Sequence, residues 1–171
     1  MKSNTSDFSD LLAVLGYDSV GDDVPADVLP FIGFLISKAA QSIVETVNAE
    51  LGEFGITSRH YGILLLLLRE DGLRQVTIGE TLQIDRTTMV KLIDELEALQ
   101  FVERRPDPDD RRAYAISLSE KGQAILPAIT ERVISVEKSS LSQLEQEEVH
   151  VLFRILLKLV GDRSRNRVSR Q

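Results

Sequence analysis

Apolar residues recur at helical spacing along most of the chain, and at alternating spacing in one short stretch near its middle. Asp27 precedes a long apolar-rich segment, Val28 to about Leu51. Pro30 falls in its first turn, where a missing N–H costs little. Phe31, Phe34, Leu35 and Ile43 fit one buried stripe, and Gly52 and Gly55 end the helix. Thr57 caps a second helix that runs to about Glu70. A short helix from Arg74 to Leu82 and a longer one from Arg86 to Leu99 follow. Phe101 to about Arg105 and Ala113 to Leu118 predict two strands, because Tyr114, Ile116 and Leu118 alternate with smaller residues. Ser119 caps a fifth long helix, broken or bent near Pro127. Ser142 and Glu145 form a capping box for a final helix to about Val160. Its stripe is Val149, Leu152, Phe153, Leu156 and Leu159.

Helices, then a hairpin, then helices exclude the strand–helix repeat of a nucleotide-binding α/β fold. The predicted class is mainly α with a small β-hairpin. Within it, the short helix, the turn and the longer helix carry a second pattern. Counted from Gln75, the residues Ile78, Leu82, Ile84, Met89 and Leu92 fall at places four, eight, ten, fifteen and eighteen. Two helices crossing steeply share a small core at such points, which is the requirement of a helix-turn-helix. Gly79 permits their close approach, and Asp85 supplies the cap of the second helix. Gln83 stands at the turn, where a left-handed backbone would cost it roughly 1 kcal/mol. An ordinary helical hairpin fits the same pattern.

On a helical wheel Met89, Leu92, Ile93, Leu96 and Leu99 share one side. Thr87, Val90, Lys91, Asp94 and Ala98 lie opposite, with Arg86 and Thr88 flanking. A recognition helix inserts its N-terminal residues into the major groove. Arg86 and Lys91 suit guanine edges or phosphates, and Thr87 and Thr88 suit phosphates or a thymine methyl. Asp94, Glu95 and Glu97 would repel DNA, which confines contact to the first two turns. A hairpin directly after such a helix reads as a wing. Its sequence, RRPDPDDRRAY, sets Arg104, Arg105, Arg111 and Arg112 around a rigid Pro-Asp turn. Narrow minor grooves attract inserted Arg, and Asp107, Asp109 and Asp110 suit bracing carboxylates. A charge-balanced surface hairpin is the bland alternative.

Charge then limits the picture. The chain has 20 Lys+Arg against 27 Asp+Glu, a formal charge of −7. From Arg86 to Arg112 there are six basic and seven acidic residues. Affinity for a polyanion must therefore come from placement. There is no Cys and there are two His, which excludes thiolate chemistry and disulfides and argues against a metal site. No phosphate-binding glycine motif or catalytic trio is apparent, so no catalytic residue, metal or cofactor is expected. The longest apolar run, Ile63 to Leu68, is far short of the roughly 20 residues of a membrane span. With no apparent secretion signal, the expected compartment is the cytoplasm.

The stretch DRTTMVKLIDELEALQFVERRPDPDDRRAYAISLSEKG, Asp85 to Gly122, resembles the signature of the multiple-antibiotic-resistance regulator (MarR) family. Asp110-Arg111-Arg112, followed by Ser119 and Gly122, is its specific part. A looser resemblance runs from about Pro25 to Val160. It implies a winged helix-turn-helix flanked by long N- and C-terminal dimerisation helices. It implies a dimerisation helix over 25–56, a DNA-binding lobe over 57–122 and dimerisation helices over 123–161. Residues 1–24, polar with one apolar patch, read as an irregular arm longer than usual in the family, and 162–171, with four Arg and one Asp, as a frayed basic tail. It further implies a homodimer that binds a pseudo-palindromic DNA operator, usually as a repressor released by a small-molecule effector. Arg112 matches the minor-groove arginine, Asp110 its brace, and Arg86, Thr87, Thr88 and Lys91 the major-groove positions. The apolar first and last helices support the dimer independently, since one lobe offers little surface to cover both. Arg59, His60 and Tyr61 fall where effectors bind in the family, and a small, mainly apolar anion is the expected ligand. A winged helix that binds protein partners and no DNA remains the alternative.

Overall fold

A computed structural model describes residues 32–107 and 114–168, with side chains to residue 161. The arm, Asp27, Pro30, Phe31 and the Asp109–Arg112 turn lie outside the described residues. Packing divides the chain into two units, residues 1–42 and 43–171. In the first, residues 32–42 open helix α1, Ile32–Leu51. Leu35 and Ile36 there are exposed, although Leu35 belongs to the predicted buried stripe. Lys38 lies 5.8 Å from the Phe34 ring centroid.

In the second unit, a 3-10 turn over Gly52–Phe54 ends at Gly55, whose φ of 72° lies in the left-handed region. Helix α2, Ser58–Arg69, starts from a capping box in which the third residue is His60. Strand β1, Leu73–Arg74, leads straight into α3, Gln75–Leu82, and α4, Arg86–Ala98, follows. Strands β2, Val102–Pro106, and β3, Tyr114–Leu118, form the hairpin. Helix α5, Glu120–Ser140, and helix α6, Gln146–Val168, close the described chain.

The sheet has three strands in the order β1-β3-β2, all neighbours antiparallel. The two-residue β1 escapes a reading based on alternation, which needs at least four residues to register. Its presence makes β3 the central strand. Ala115 to Leu118 are consequently all buried, whereas Tyr114 is exposed, so the predicted alternation of Tyr114, Ile116 and Leu118 does not hold.

Three further expectations are corrected. Helix α5 is not broken at Pro127 but runs through it. Pro127 lies in the third turn and its ring faces solvent. The last helix starts at Gln146, with the Glu145 N–H donating to the Glu148 carboxylate at 2.8 Å. Ser142 instead belongs to the preceding turn, its N–H bonded to the Ser139 carbonyl. And α6 stays helical to Val168, through most of the segment expected to fray. Residues 162–168 contain neither Gly nor Pro to stop it.

One apolar core joins the elements from the end of α1 to α5. It includes Leu51, Ile63, Leu64, Leu67, Ile78, Met89, Ile93, Leu96, Ile116 and Ile129, each at most 2 % exposed. Gly122, in the first turn of α5, is where the helix meets the hairpin. A Cβ there would lie 2.0 Å from the Phe101 carbonyl oxygen. Glycine is required for contact rather than for an unusual backbone angle.

Candidate nucleic-acid interface

The site is built from α3, the turn, α4 and the hairpin stem. Gln83 has φ 55° and ψ 40°, the left-handed conformation, and closes α3 with the Ile84 N–H bonded to the Gly79 carbonyl at 2.9 Å. A Cβ on Gly79 would sit 3.1 Å from the Ile84 carbonyl, so the turn folds tightly against the first helix. Asp85 then caps α4, its carboxylate accepting the Thr88 N–H at 3.0 Å. Hydrogen bonds from the Thr88 hydroxyl and then from its N–H hold the Asp85 carboxyl below its ordinary pKa. Met89, Leu92, Ile93 and Leu96 are buried in the core.

The opposite face of α4 is open. Arg86, Thr87, Val90 and Lys91 are exposed, and Thr88 is half-buried. The Lys91 side chain is 76 % exposed and lies 3.6 Å from Glu95. Beside this face a cleft of about 830 Å³ opens between α3, the start of α4 and β3. Gln75, Val76, Arg86, Val90 and Tyr114 are among its walls. Val76 and Tyr114 are largely exposed. Among these, Gln75, Val76 and Tyr114 were missed as candidates by the sequence reading. In the sequence Tyr114 carries only a strand signal, in phase with Ile116, and a wheel of α4 alone says nothing of α3.

The stem arginines have partners. Arg104 is half-buried and pairs with Asp94, at 2.5 Å, and with Glu97. Both acids stand on the second half of α4. The acids that would repel DNA thus hold the stem to the recognition helix, and Arg104 is occupied there rather than displayed. Arg105, on the other face of β2, pairs with Glu103 and lies 4.0 Å from Asp71. Asp107 is buried and receives a two-pronged bond from Arg74. Asp110, Arg111 and Arg112 lie outside the described residues.

The three effector candidates point to different places. Arg59 is exposed and lines a recess of about 480 Å³ with Ser58, Gly62 and Leu82 to Asp85. Tyr61 donates from its hydroxyl to Thr130 on α5 at 3.3 Å. His60 is buried with both ring nitrogens engaged. Its Nδ1 accepts the Thr57 N–H at 3.1 Å and lies 2.9 Å from the Thr57 hydroxyl, while Nε2 lies 2.9 Å from the Glu95 carboxylate. These bonds select the neutral tautomer with its proton on Nε2. Burial lowers the His60 pKa, and Glu95 offsets part of that shift. His60 thus ties α2 to α4 and leaves no nitrogen for a ligand.

A tightly turned helix pair, an open second helix and a hairpin anchored beside it define a winged helix-turn-helix protein. Residues 54–113 match the model of the MarR family. The transcriptional repressor NicR of Pseudomonas putida is 27 % identical over 140 residues, which cover 81 % of this chain and 88 % of NicR. A crystal structure of MarR superposes with a TM-score of 0.75 at 24 % identity, over 84 % of this chain and 97 % of that one. CouR, bound to a 23-mer DNA duplex, superposes with a TM-score of 0.71 at 26 % identity, over 76 % and 92 %. CouR of Rhodococcus jostii RHA1 bound to p-coumaroyl-CoA does so at 0.67 and 28 %, over the same shares. The chain is thus similar to the MarR family over residues 54–113 and shares the fold of MarR over most of its length.

Proposed function

We propose that the protein is a DNA-binding transcriptional regulator that reads a pseudo-palindromic operator as a homodimer. The open N-terminal face of α4, with Arg86, Thr87 and Lys91 exposed opposite a fully seated core face, is the observation that carries this reading. Arg86 and Lys91 reach guanine edges or phosphates of the major groove, and Thr87 and Thr88 contact phosphates or a thymine methyl. Arg111 and Arg112, with Asp110 as brace, serve the minor groove at the flank. Arg105, exposed on the stem and paired with Glu103, reaches a phosphate only by exchanging that partner. The CouR complex with duplex DNA supports this reading.

A second copy covers the apolar faces left open in the single chain. Leu35 and Ile36 of α1, and Phe153, Leu157, Leu159 and Val160 of α6, are at least 40 % exposed. A two-fold pair would set two α4 helices one DNA turn apart. NicR is named a repressor, and repression is the mode proposed here. Release by a small-molecule effector is part of the proposal, supported by the p-coumaroyl-CoA complex of CouR; for this chain the ligand proposed is a small, mainly apolar anion near Arg59, which lines an open recess. The reading involves no catalytic step and places the protein with the chromosome, in the cytoplasm of a bacterial cell.

Selection of bound duplexes from a random DNA pool tests it. A roughly palindromic motif is expected. Absence of any enriched motif would favour a winged helix that binds protein partners.

A further inference from the structure

We propose that the Arg74–Asp107 ion pair is a clasp that sets the angle of the wing against the recognition helix, making both residues positioning residues for operator binding. The inference rests on the DNA-binding reading above.

Arg74 occupies the N-cap of α3, with φ −69° and ψ 143°, and gives no capping hydrogen bond. Ser, Thr, Asp or Asn is favoured there because a short oxygen satisfies a free N–H. Arginine forgoes that bond, and its side chain reaches the hairpin instead. Its Nε donates to Asp107 Oδ2 at 2.5 Å and its Nη2 to Oδ1 at 3.1 Å. Two parallel bonds fix the plane of the guanidinium as well as its distance. A lysine at this position would hold a carboxylate without fixing the plane.

The register shows what the clasp spans. Arg74 on β1 is level with Ala115 on β3, which is level with Arg105 on β2. Asp107 lies two residues past Arg105, beyond the last paired residue, Pro106. The bond therefore crosses the central strand, from one edge of the sheet to the chain just past the other edge. Asp107 is only 7 % exposed, and a buried carboxylate without such a partner is costly. Arg74 runs directly into α3, which packs against α4. Arg104 makes a second tie, from β2 to Asp94 and Glu97 of α4. Pairing with β1 and burial of Ile116 and Leu118 already hold β3; the two ion pairs add fixed points on the β2 side, next to the turn. Residues 108–113, between Asp107 and Tyr114, carry Arg111 and Arg112.

The test uses the full chain and its selected operator. Arg74→Gln and Asp107→Asn should each weaken binding on the order of tenfold. They should lose hydroxyl-radical protection at the outer minor-groove flanks while keeping guanine N7 protection within each half-site. Arg74→Lys should recover little, and the exchanged pair Arg74→Asp with Asp107→Arg should recover most of the flank protection. A retained flank footprint, loss of both footprints together in a folded variant, or full function in Arg74→Lys would overturn the clasp. Should wild-type protein protect no DNA, the DNA reading itself falls. Hydrogen exchange then judges the clasp. Faster exchange of the 102–107 and 114–118 amides in Arg74→Gln upholds it, and unchanged exchange overturns it.

Discussion

His60 shows how a single side chain can look functional in the sequence and prove structural in the fold. It stands third in α2, where Glu or Gln usually completes a capping box, and its ring nitrogen takes that part. Its lowered pKa means that the folded state resists protonation. The unfolded chain, titrating near the ordinary histidine value of about 6.5, then binds more protons below that pH. The contribution of His60 to stability is full above about pH 6.5 and is lost as pH falls through the lowered folded value. His60→Gln keeps an acceptor for Thr57 and cannot titrate. Urea melts from pH 7.5 to about 4.5 should show a steeper loss for wild type than for this variant. Gly122 makes a sharper case. With a Cβ placed 2.0 Å from the backbone oxygen of Phe101, Gly122→Ala should cost about 3 kcal/mol or more in the same melts.

At the scale of elements, α3 and α4 follow their apolar spacing closely. Ile78, Met89 and Leu92 are all buried, and Asp85 caps α4 as its position before Arg86 predicts. Leu92→Ala should cost about 2–5 kcal/mol through lost packing. Circular dichroism at the assay temperature separates that loss from any effect on DNA binding. The hairpin was less legible. Its strands were placed within a residue or two, but β1 was not seen, nor the burial it brings to Ser117. Around the turn the sequence pattern alone presents a display of arginines. In the fold, Arg104 and Arg105 are paired with Asp94, Glu97 and Glu103. Like-facing charge along a sequence does not say which partner, tens of residues away or one turn back, will meet each side chain.

At the scale of the molecule, the apolar side chains of α6 remain open in a single chain, with Phe153 at 63 %. Phe153→Asp should shift the protein from dimer to monomer in sedimentation. Operator affinity should fall on the order of 100-fold, since a lone lobe loses the gain of joined half-sites. The net charge of −7 bears on the same interaction. Among the described residues few cations near α4 are left unpaired, so affinity should fall with salt along a modest slope. A slope near −10 would demand many more phosphate contacts than these residues supply.

Local physics, written in the residue order, determined most of the helices, the caps at Asp85 and Ser119, the turn at Gln83 and the apolar face of α4. Each of these depends on neighbours within about four positions, and such neighbours are legible in one dimension. Tertiary structure alone decided that Arg74 grips Asp107, that Arg104 fastens β2 to α4, and that His60 bridges to Glu95. Those pairs join residues up to 35 positions apart. Their geometry exists only after the core has set the distances between elements.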